Sequence, residues 1–158
     1  MKRLALLCAF ALALCTTAAC ARSAGSCPLN AVKQPTEPLT IATKGGQLQF
    51  CVAVARTSEE QARGLMFRDR LAPREGMIFP LDEPRVASFW MKNTVIPLDI
   101  IFVRGDGTIS NIAAQTVPYS LEPVLSDEPV ATVLELAGGQ AAALGIAEDD
   151  KVVWTGKR

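Results

Sequence analysis

Apolar and polar residues alternate along several short stretches of the chain, which is the pattern of strands that bury one face. Turn-forming residues separate these stretches, and Gly45-Gly46 and the tetrapeptide from Arg104 to Gly107 predict hairpin turns. Strands of this length and spacing predict a single mainly β domain, either an antiparallel sandwich or a barrel-like sheet. The predicted strands are LTIAT, LQFCVAVA, GMIFPL, VASFWMK, LDIIFV, TISNIAA, ATVLEL and KVVWT.

Two short helices interrupt the predicted strands. In TSEEQARG, Thr57 is placed to cap the helix, Glu60 completes a capping box three residues later, and Gly64 is a natural stop. The stretch GGQAAALG runs into Gly145 and predicts the second helix. The segment QTVPYSLEPVLSDEP contains three prolines, which exclude a central strand and predict a long ordered loop.

The first residues have the layout of a secretory signal. Lys2 and Arg3 precede an apolar run from Leu4 to Leu14, which is too short to span a bilayer as a helix, and small residues follow. We therefore predict a signal over residues 1–21 and an exported, periplasmic protein.

Cys20 leaves two forms of the exported protein open. The stretch TAAC ends at Cys20 and resembles a lipobox, which would leave a lipidated Cys20 attached to a membrane. The small residues around Cys20 also fit ordinary cleavage, which releases a soluble protein. After the signal, residues 22–38 are aperiodic and predict a flexible arm, and residues 39–158 predict the β domain.

Once the signal is removed, Cys27 and Cys51 remain as an even pair. In an oxidising compartment such a pair predicts a disulfide, which would tether the arm to the strand that carries Cys51. Loss of Lys2 and Arg3 leaves 14 of the 16 basic residues against 16 acidic ones, a net charge of about −2. No basic run is present, so we predict no nucleic-acid partner.

The chain contains no histidine. This removes Ser-His-Asp and Cys-His catalysis and the histidine-ligated metal sites. The sequence also lacks the GxSxG, Walker and dinucleotide-binding glycine patterns. We predict no catalytic residue, no metal ligand and no cofactor.

Two carboxylates lie in apolar stretches. Asp99 shares a strand face with Ile101, and Glu135 shares one with Val133. A buried carboxylate must be partnered, protonated or turned to water, and Arg63 and Lys92 are the cationic candidates. A structural ion pair is the simpler interpretation. The alternative is a hydrolase that uses Asp99 and Glu135 as acid and base.

Sulfur-containing side chains suggest a second alternative. Met66, Met77 and Met91 lie near Trp90 in sequence or would approach it in a compact domain. Thioethers beside an indole in an exported protein are able to bind Cu(I), because soft ligands select soft metals. Core packing is the simpler interpretation of these residues.

Several ordered blocks resemble the family catalogued as domain of unknown function 192. These blocks are ARGLMFRDRL, GMIF, FWMKNTVIPLDIIFV, VLELAGG and LGI, and the resemblance covers Leu39 to Trp154. It implies a compact, mainly β domain, and it implies no established activity. Ala137 departs from a commoner form that has Asn before the glycines. The matched positions are Arg63, Gly64, Leu65, Met66, Trp90, Met91, Lys92, Asn93, Thr94, Pro97, Leu98, Asp99, Glu135 and Gly139.

Together these residues predict a pocket with an apolar base and a few fixed polar groups at one end of the sheet, the usual form of a small-ligand site. A hydrogen-bonded plug that rigidifies the sheet end is an equal alternative. Our leading interpretation is a noncatalytic domain that binds a small ligand or an envelope protein. The candidate pocket residues are Arg63, Met66, Trp90, Met91, Lys92, Asn93, Thr94, Asp99 and Glu135.

Overall fold

The structure is a computed structural model that describes residues 27–30 and 32–156. The predicted signal over residues 1–21, the lipidation candidate Cys20 and the first part of the predicted arm lie outside the described residues. Within the described ranges, no helix combines the length and apolar character needed to cross a membrane.

The described chain contains nine strands and two short helices, so the mainly β class is confirmed. The two predicted helices are confirmed as well. The elements are β1 (Glu37–Thr43), β2 (Gly46–Val54), α1 (Ser58–Arg63), β3 (Glu75–Arg85), β4 (Ser88–Phe89), β5 (Leu98–Val103), β6 (Ile109–Ala113), β7 (Val124–Leu125), β8 (Val130–Ala137), α2 (Gln140–Leu144) and β9 (Lys151–Trp154).

Seven strands form one sheet in the order β6-β5-β8-β3-β2-β1-β9. The sheet is mixed, because β2 and β3 run parallel while the other neighbouring strands in it are antiparallel. A parallel pair needs a crossover connection, and residues 55–74, which include α1, provide it. The expectation of a purely antiparallel sheet is corrected at this one pair.

The two edges of the sheet approach each other at one end. Thr108 and Lys151 form an isolated bridge beside the edge strands β6 and β9. The backbone N–H of Ile109 donates to the carbonyl of Asp150 (2.9 Å), and that of Val152 donates to the carbonyl of Gly107 (2.8 Å). The bridge does not extend into a ladder, so the described sheet curls without closing into a barrel.

Both faces of the sheet are buried. Residues such as Ile41, Ile101 and Leu134 pack on one face, which we call the inner face. Residues such as Phe79 and Ile100 pack on the other. We call this second face the loop-covered face, because the connections between the strands pack over it. All six residues of β5 are buried, as expected for a central strand with both faces covered.

The predicted strand VASFWMK is corrected to the two residues of β4. β4 pairs with β7, which lies inside the predicted long loop, and not with the main sheet. Beyond β4 the backbone N–H of Met91 donates to the carbonyl of Ser120, and that of Thr94 donates to the carbonyl of Met91. These turn and loop bonds replace a strand ladder, although the side chains alternate in polarity.

A disulfide joins Cys27 to Cys51, with the two Cα atoms 5.5 Å apart. The bond ties the segment before β1 to β2. A cross-link between residues 24 positions apart stabilises the fold by roughly 3 kcal/mol, mainly because it restricts the unfolded chain.

Asp99 on β5 is fully buried and joins three parts of the chain. Its Oδ1 accepts hydrogen bonds from the backbone N–H groups of Gln115 (2.8 Å) and Gly139 (2.8 Å). Its Oδ2 accepts one from the N–H of Ala141 in α2 (2.7 Å). Asp99 therefore acts as a clamp, because it holds the loop after β6 and the start of α2 against β5.

We predict that Asp99→Asn lowers the free energy of unfolding by about 3 kcal/mol. The amide has one acceptor oxygen for three N–H donors and places its own N–H₂ against one of them. Hydrogen bonds to a charged group contribute roughly 1.5–3 kcal/mol each. Urea titration measures the loss, and Asp82→Asn at an exposed position is the matched control. Equal unfolding midpoints for the two variants would contradict the clamp.

Candidate functional site

A cleft of about 250 Å³ opens on the loop-covered face. Its walls come from the end of α1, from β3 and from β4, and its floor comes from β8. The lining residues are Gln61, Ala62, Arg63, Gly64, Leu65, Met66, Phe79, Leu81, Arg85, Ser88, Phe89, Trp90, Thr94 and Glu135.

A capping box sets the start of α1. Thr57 Oγ1 accepts a hydrogen bond from the N–H of Glu60 (3.1 Å), and the Glu60 carboxylate accepts one from the N–H of Thr57 (2.9 Å). The backbone N–H groups of Thr57 and Arg56 hold the pKa of Glu60 below its usual value. Six residues of helix are marginal alone, so this box is needed to hold the turn that carries Arg63.

Two contacts seat the end of α1 against the sheet. Gln61 Nε2 donates to the carbonyl of Pro80 on β3 (2.9 Å) and to that of Ala55 (3.3 Å). Gly64 ends the helix with φ 48° and ψ −133°, a conformation that favours glycine. A Cβ at Gly64 would lie 3.4 Å from the Phe79 ring, so the chain passes close over the aromatic wall of the cleft.

Aromatic rings form the apolar wall. Phe79 and Phe89 meet edge to face with ring centroids 5.2 Å apart, and Phe89 makes a similar contact with Phe102 (6.3 Å). Trp90 follows on the rim and is 50% exposed. Lys92 Nζ lies 5.0 Å from the centroid of the Trp90 ring, a cation–π contact that holds the indole beside the cleft.

Glu135 lies at the floor of the cleft and is 4% exposed. Its Oε2 is buried and has no hydrogen-bond partner among the described residues. Glu75 Oε1 and Gln140 Oε1 share that property, but neither residue lines this cleft. Burial raises the pKa of Glu135 to about 8, so its carboxyl is mostly protonated at neutral pH.

The structure brings five of the nine predicted pocket residues to this cleft, namely Arg63, Met66, Trp90, Thr94 and Glu135. Lys92 and Asn93 do not line the cleft, but each contacts a residue that does, Trp90 and Met66 respectively. Asn93 has φ 55°, its carbonyl accepts from the N–H of Phe67 (2.9 Å), and its Nδ2 lies 3.8 Å from Met66 Sδ. Met91 and Asp99 are buried elsewhere.

The predicted pairing of the buried carboxylates with Arg63 or Lys92 is wrong. Among the described residues, the arginines that form ion pairs are Arg56, Arg68 and Arg104, and none of them binds Asp99 or Glu135. Asp99 takes backbone N–H groups as partners instead. The prediction that Asp99 converges with the pocket residues is also corrected, because the Asp99 side chain lies on the inner face.

The hydrolase that would use Asp99 and Glu135 is excluded by strand register. Ile100 pairs with Glu135, and Asp99 pairs with Leu136. Paired residues in an antiparallel ladder share a face, so the two carboxylates lie on opposite faces of the sheet. The two carboxylates do not flank one cleft, so they cannot act together as acid and base on one substrate.

The three sulfurs proposed for copper do not converge at this cleft. Met77 and Met91 are core residues, and only Met66 lines the cleft. Thr116 Oγ1 lies 3.0 Å from Met91 Sδ, while Asn93 faces Met66 Sδ. Histidine, cysteine, aspartate and glutamate likewise form no group of three able to hold a metal ion in the part of the chain described.

Sequence reasoning missed Gln61, Phe79, Arg85 and Phe89 as cleft residues. Phe79 and Phe89 have ordinary strand patterns, and only the position of β4 outside the main sheet brings their rings together. A signal was available for Gln61, because a polar residue one turn into a short capped helix is placed to bond the adjacent strand.

A family profile described as "DUF192: Uncharacterized ACR" matches residues 40–154. No curated protein matches the chain.

Two solved structures are similar to this fold. A Novosphingobium aromaticivorans protein of unknown function is 48% identical, with a TM-score of 0.78 over 84% of this chain and 94% of that one. A Sinorhizobium meliloti protein described as "a putative transcription regulator" is 38% identical, with a TM-score of 0.73 over 76% of this chain and 94% of that one. The family profile runs from Thr40 within β1 to Trp154 at the end of β9, and this chain belongs to the DUF192 family.

Proposed function

We propose that this protein is a noncatalytic binding domain whose cleft holds a small ligand against Glu135. The observation that carries the proposal is the buried Oε2 of Glu135, which lacks a partner among the described residues. An unsatisfied buried polar group costs about 1–3 kcal/mol, and a ligand that completes its hydrogen bond recovers that cost.

The lining of the cleft supports a small ligand more than a protein partner. Aromatic and aliphatic side chains form the walls, and a few polar groups lie at the floor and rim. This is the usual composition of a small-molecule site, and a volume of about 250 Å³ suits a ligand with few heavy atoms.

The same lining supports a noncatalytic role. Of the residues that the structure describes, Glu135 is the one carboxylate that lines the cleft, so hydrolysis by paired carboxylates has no second described group there. Thr94 Oγ1 donates to the carbonyl of Lys92 (3.3 Å), and no described side chain accepts a hydrogen bond from it. A hydroxyl without a base is a weak nucleophile.

The description of the Sinorhizobium meliloti relative does not transfer readily to this chain. Lys and Arg total 16 and Asp and Glu total 16, so the chain carries no net positive charge. Binding to nucleic acid depends on clustered positive charge against phosphates. The charge balance therefore favours a small-ligand role over contact with DNA.

Export of the protein is part of the proposal. The layout of residues 1–21 motivates it, and the Cys27–Cys51 disulfide supports it, because disulfides persist in oxidising compartments. Cleavage before Cys20 with lipidation, and ordinary cleavage near Ala21, remain its two forms.

The protonation of Glu135 makes stability depend on pH. Its pKa is about 8 in the folded protein and about 4.5 in the unfolded chain, so the folded state binds the proton more tightly. The stabilising effect is complete below pH 4.5 and is lost as the pH rises through 8. At pH 7 the buried carboxyl costs roughly 3 kcal/mol relative to acid conditions.

We predict that Glu135→Gln removes this pH dependence. Between pH 4.5 and pH 7, the difference in unfolding free energy should shift by roughly 3 kcal/mol in favour of the variant, since the amide does not ionise. Urea unfolding at several pH values measures the shift, with Glu83→Gln on the exposed part of β3 as the matched control. A constant difference across this range would show that Glu135 is not held neutral.

We predict that small molecules bind beside Trp90. Trp154→Phe leaves Trp90 as the single tryptophan, and a fluorescence screen of small acids, amines, amides and sugars then reports on the cleft. Binders should lose about tenfold in affinity in Glu135→Leu, because the carboxyl contact is removed. Failure of every compound to change Trp90 emission, or equal binding by Glu135→Leu, would refute the proposed site.

We predict that the protein isolated from the cell envelope has lost its first 19 to 21 residues. Intact-mass measurement distinguishes an acylated Cys20 from a free new N-terminus. Reduction should add two hydrogens, because Cys27 and Cys51 are joined. A mass that includes residues 1–19 would contradict export by this signal.

A further inference from the structure

The charges that line the cleft are unequal. Arg63 from α1 and Arg85 from the end of β3 are both exposed on the rim, and neither forms an ion pair with a described residue. In the described part of the chain, Glu135 is the one acidic residue that lines the cleft. Two guanidinium groups are therefore available to a ligand.

The guanidinium groups of Arg63 and Arg85 at the rim do not pair with the carboxyl of Glu135 at the floor. Burial is the cause of the raised pKa of Glu135, and neither guanidinium lowers it. An arginine in contact with the carboxyl would favour its ionised form. No ion pair joins either arginine to Glu135 in the described chain, and the apolar wall of Phe79 and Phe89 lies within the same cleft.

We propose that the ligand of this cleft is a small organic oxyanion with an apolar body, held at the rim by Arg63 and Arg85 and hydrogen-bonded at its inner end by Glu135. The inference rests on the proposed function and names its ligand class. Arginine suits this role, because its planar fork binds carboxylate or phosphate oxygens in pairs. The apolar body packs on Phe89 and Trp90.

The opposite ligand class fits the cleft poorly. A cationic amine would pass two unpaired guanidiniums at the rim before reaching the floor, and like charges in a partly desolvated cleft repel. A neutral ligand would use the wall and Glu135 but leave both arginines unused. The oxyanion alone complements all three groups.

A matched set of probes tests the ligand class on the Trp154→Phe protein. 4-Hydroxyphenylacetate and 4-hydroxybenzylphosphonate carry the two kinds of oxyanion on one body. 4-Hydroxyphenylacetamide and tyramine replace the anion by a neutral amide and an amine, and phenylacetate lacks the inner hydroxyl. At least one oxyanion should quench Trp90 with tenfold or greater affinity over the amide and tyramine, and the better of the two distinguishes carboxylate from phosphate chemistry.

Variants locate the charge. Arg63→Ala and Arg85→Ala should each weaken the oxyanion about tenfold and leave the amide unchanged, whereas Arg70→Ala, an exposed arginine outside the cleft, should change neither. Arg63→Lys should recover part of the affinity, because it keeps the charge without the fork. Both arginines are exposed, so these variants retain the fold, and thermal unfolding verifies it.

The pH dependence of binding tests the inner contact. The charged groups that line the cleft around Glu135 are Arg63 from α1 and Arg85 from β3, while its strand partners Met77 and Ile100 do not titrate. Ionisation of Glu135 should weaken the binding of 4-hydroxyphenylacetate, whose carboxylate keeps one charge in this range, as the pH rises above 8, and Glu135→Gln should abolish that loss. An affinity that rises with pH would overturn the inner contact.

The binding results distinguish failure of the oxyanion class from failure of the small-ligand site itself. Equal or tighter binding of tyramine or the amide overturns the oxyanion class but retains a small-ligand site. The same conclusion holds if none of the probes binds while other screened compounds do. If neither the probes nor any screened compound binds beside Trp90, both proposals fail.

Discussion

The removal of two carboxyl groups from water is the constraint that organises this protein. All of β5 and most of β8 are buried, so Asp99 and Glu135 on these strands are almost entirely removed from solvent. Asp99 meets the constraint with three backbone N–H donors. Glu135, one strand away, meets it by keeping its proton, since no described residue donates to its Oε2. The two solutions divide the molecule into a structural clamp on the inner face and an open cleft on the other.

The loop layer follows from the same burial. Apolar residues on the loop-covered face of β3, β5 and β8 need a cover, and the crossover with α1, the β4 segment and the loop that carries β7 provide it. The cover is incomplete above Glu135, where the helix ends at Gly64 and β4 lies outside the main sheet. The cleft at that point therefore results from the way short connections meet over a curled sheet. Its floor is Glu135, which lines the cleft and whose Oε2 lacks a hydrogen-bond partner in the described chain.

Local features of the fold were predictable because local chemistry decides them. The capping box of Thr57 and Glu60, the strand alternation and the Cys27–Cys51 pair all depend on residues close in sequence or few in number. The parallel pairing of β2 with β3 was not, since it depends on where a crossover docks. The segment from Trp90 to Thr94 alternates like a strand, yet hydrogen bonds to a distant loop and the positive φ of Asn93 hold it as turns.

The candidate site, too, depends on long-range structure that the sequence alone does not predict. The sequence identifies Asp99 and Glu135 as carboxyls that share faces with apolar residues, but the register that pairs Asp99 with Leu136 decides that those faces are opposite. Register is a long-range property, and a shift of one residue would have placed both groups together. A buried carboxylate that accepts three backbone hydrogen bonds stabilises the fold and needs no ligand to complete its hydrogen bonding. A buried acid without donors reduces stability, and proteins commonly accept such a cost at sites where another molecule completes the contact. That contrast, more than the presence of charge in an apolar strand, is why we propose a binding role for Glu135 and a structural role for Asp99.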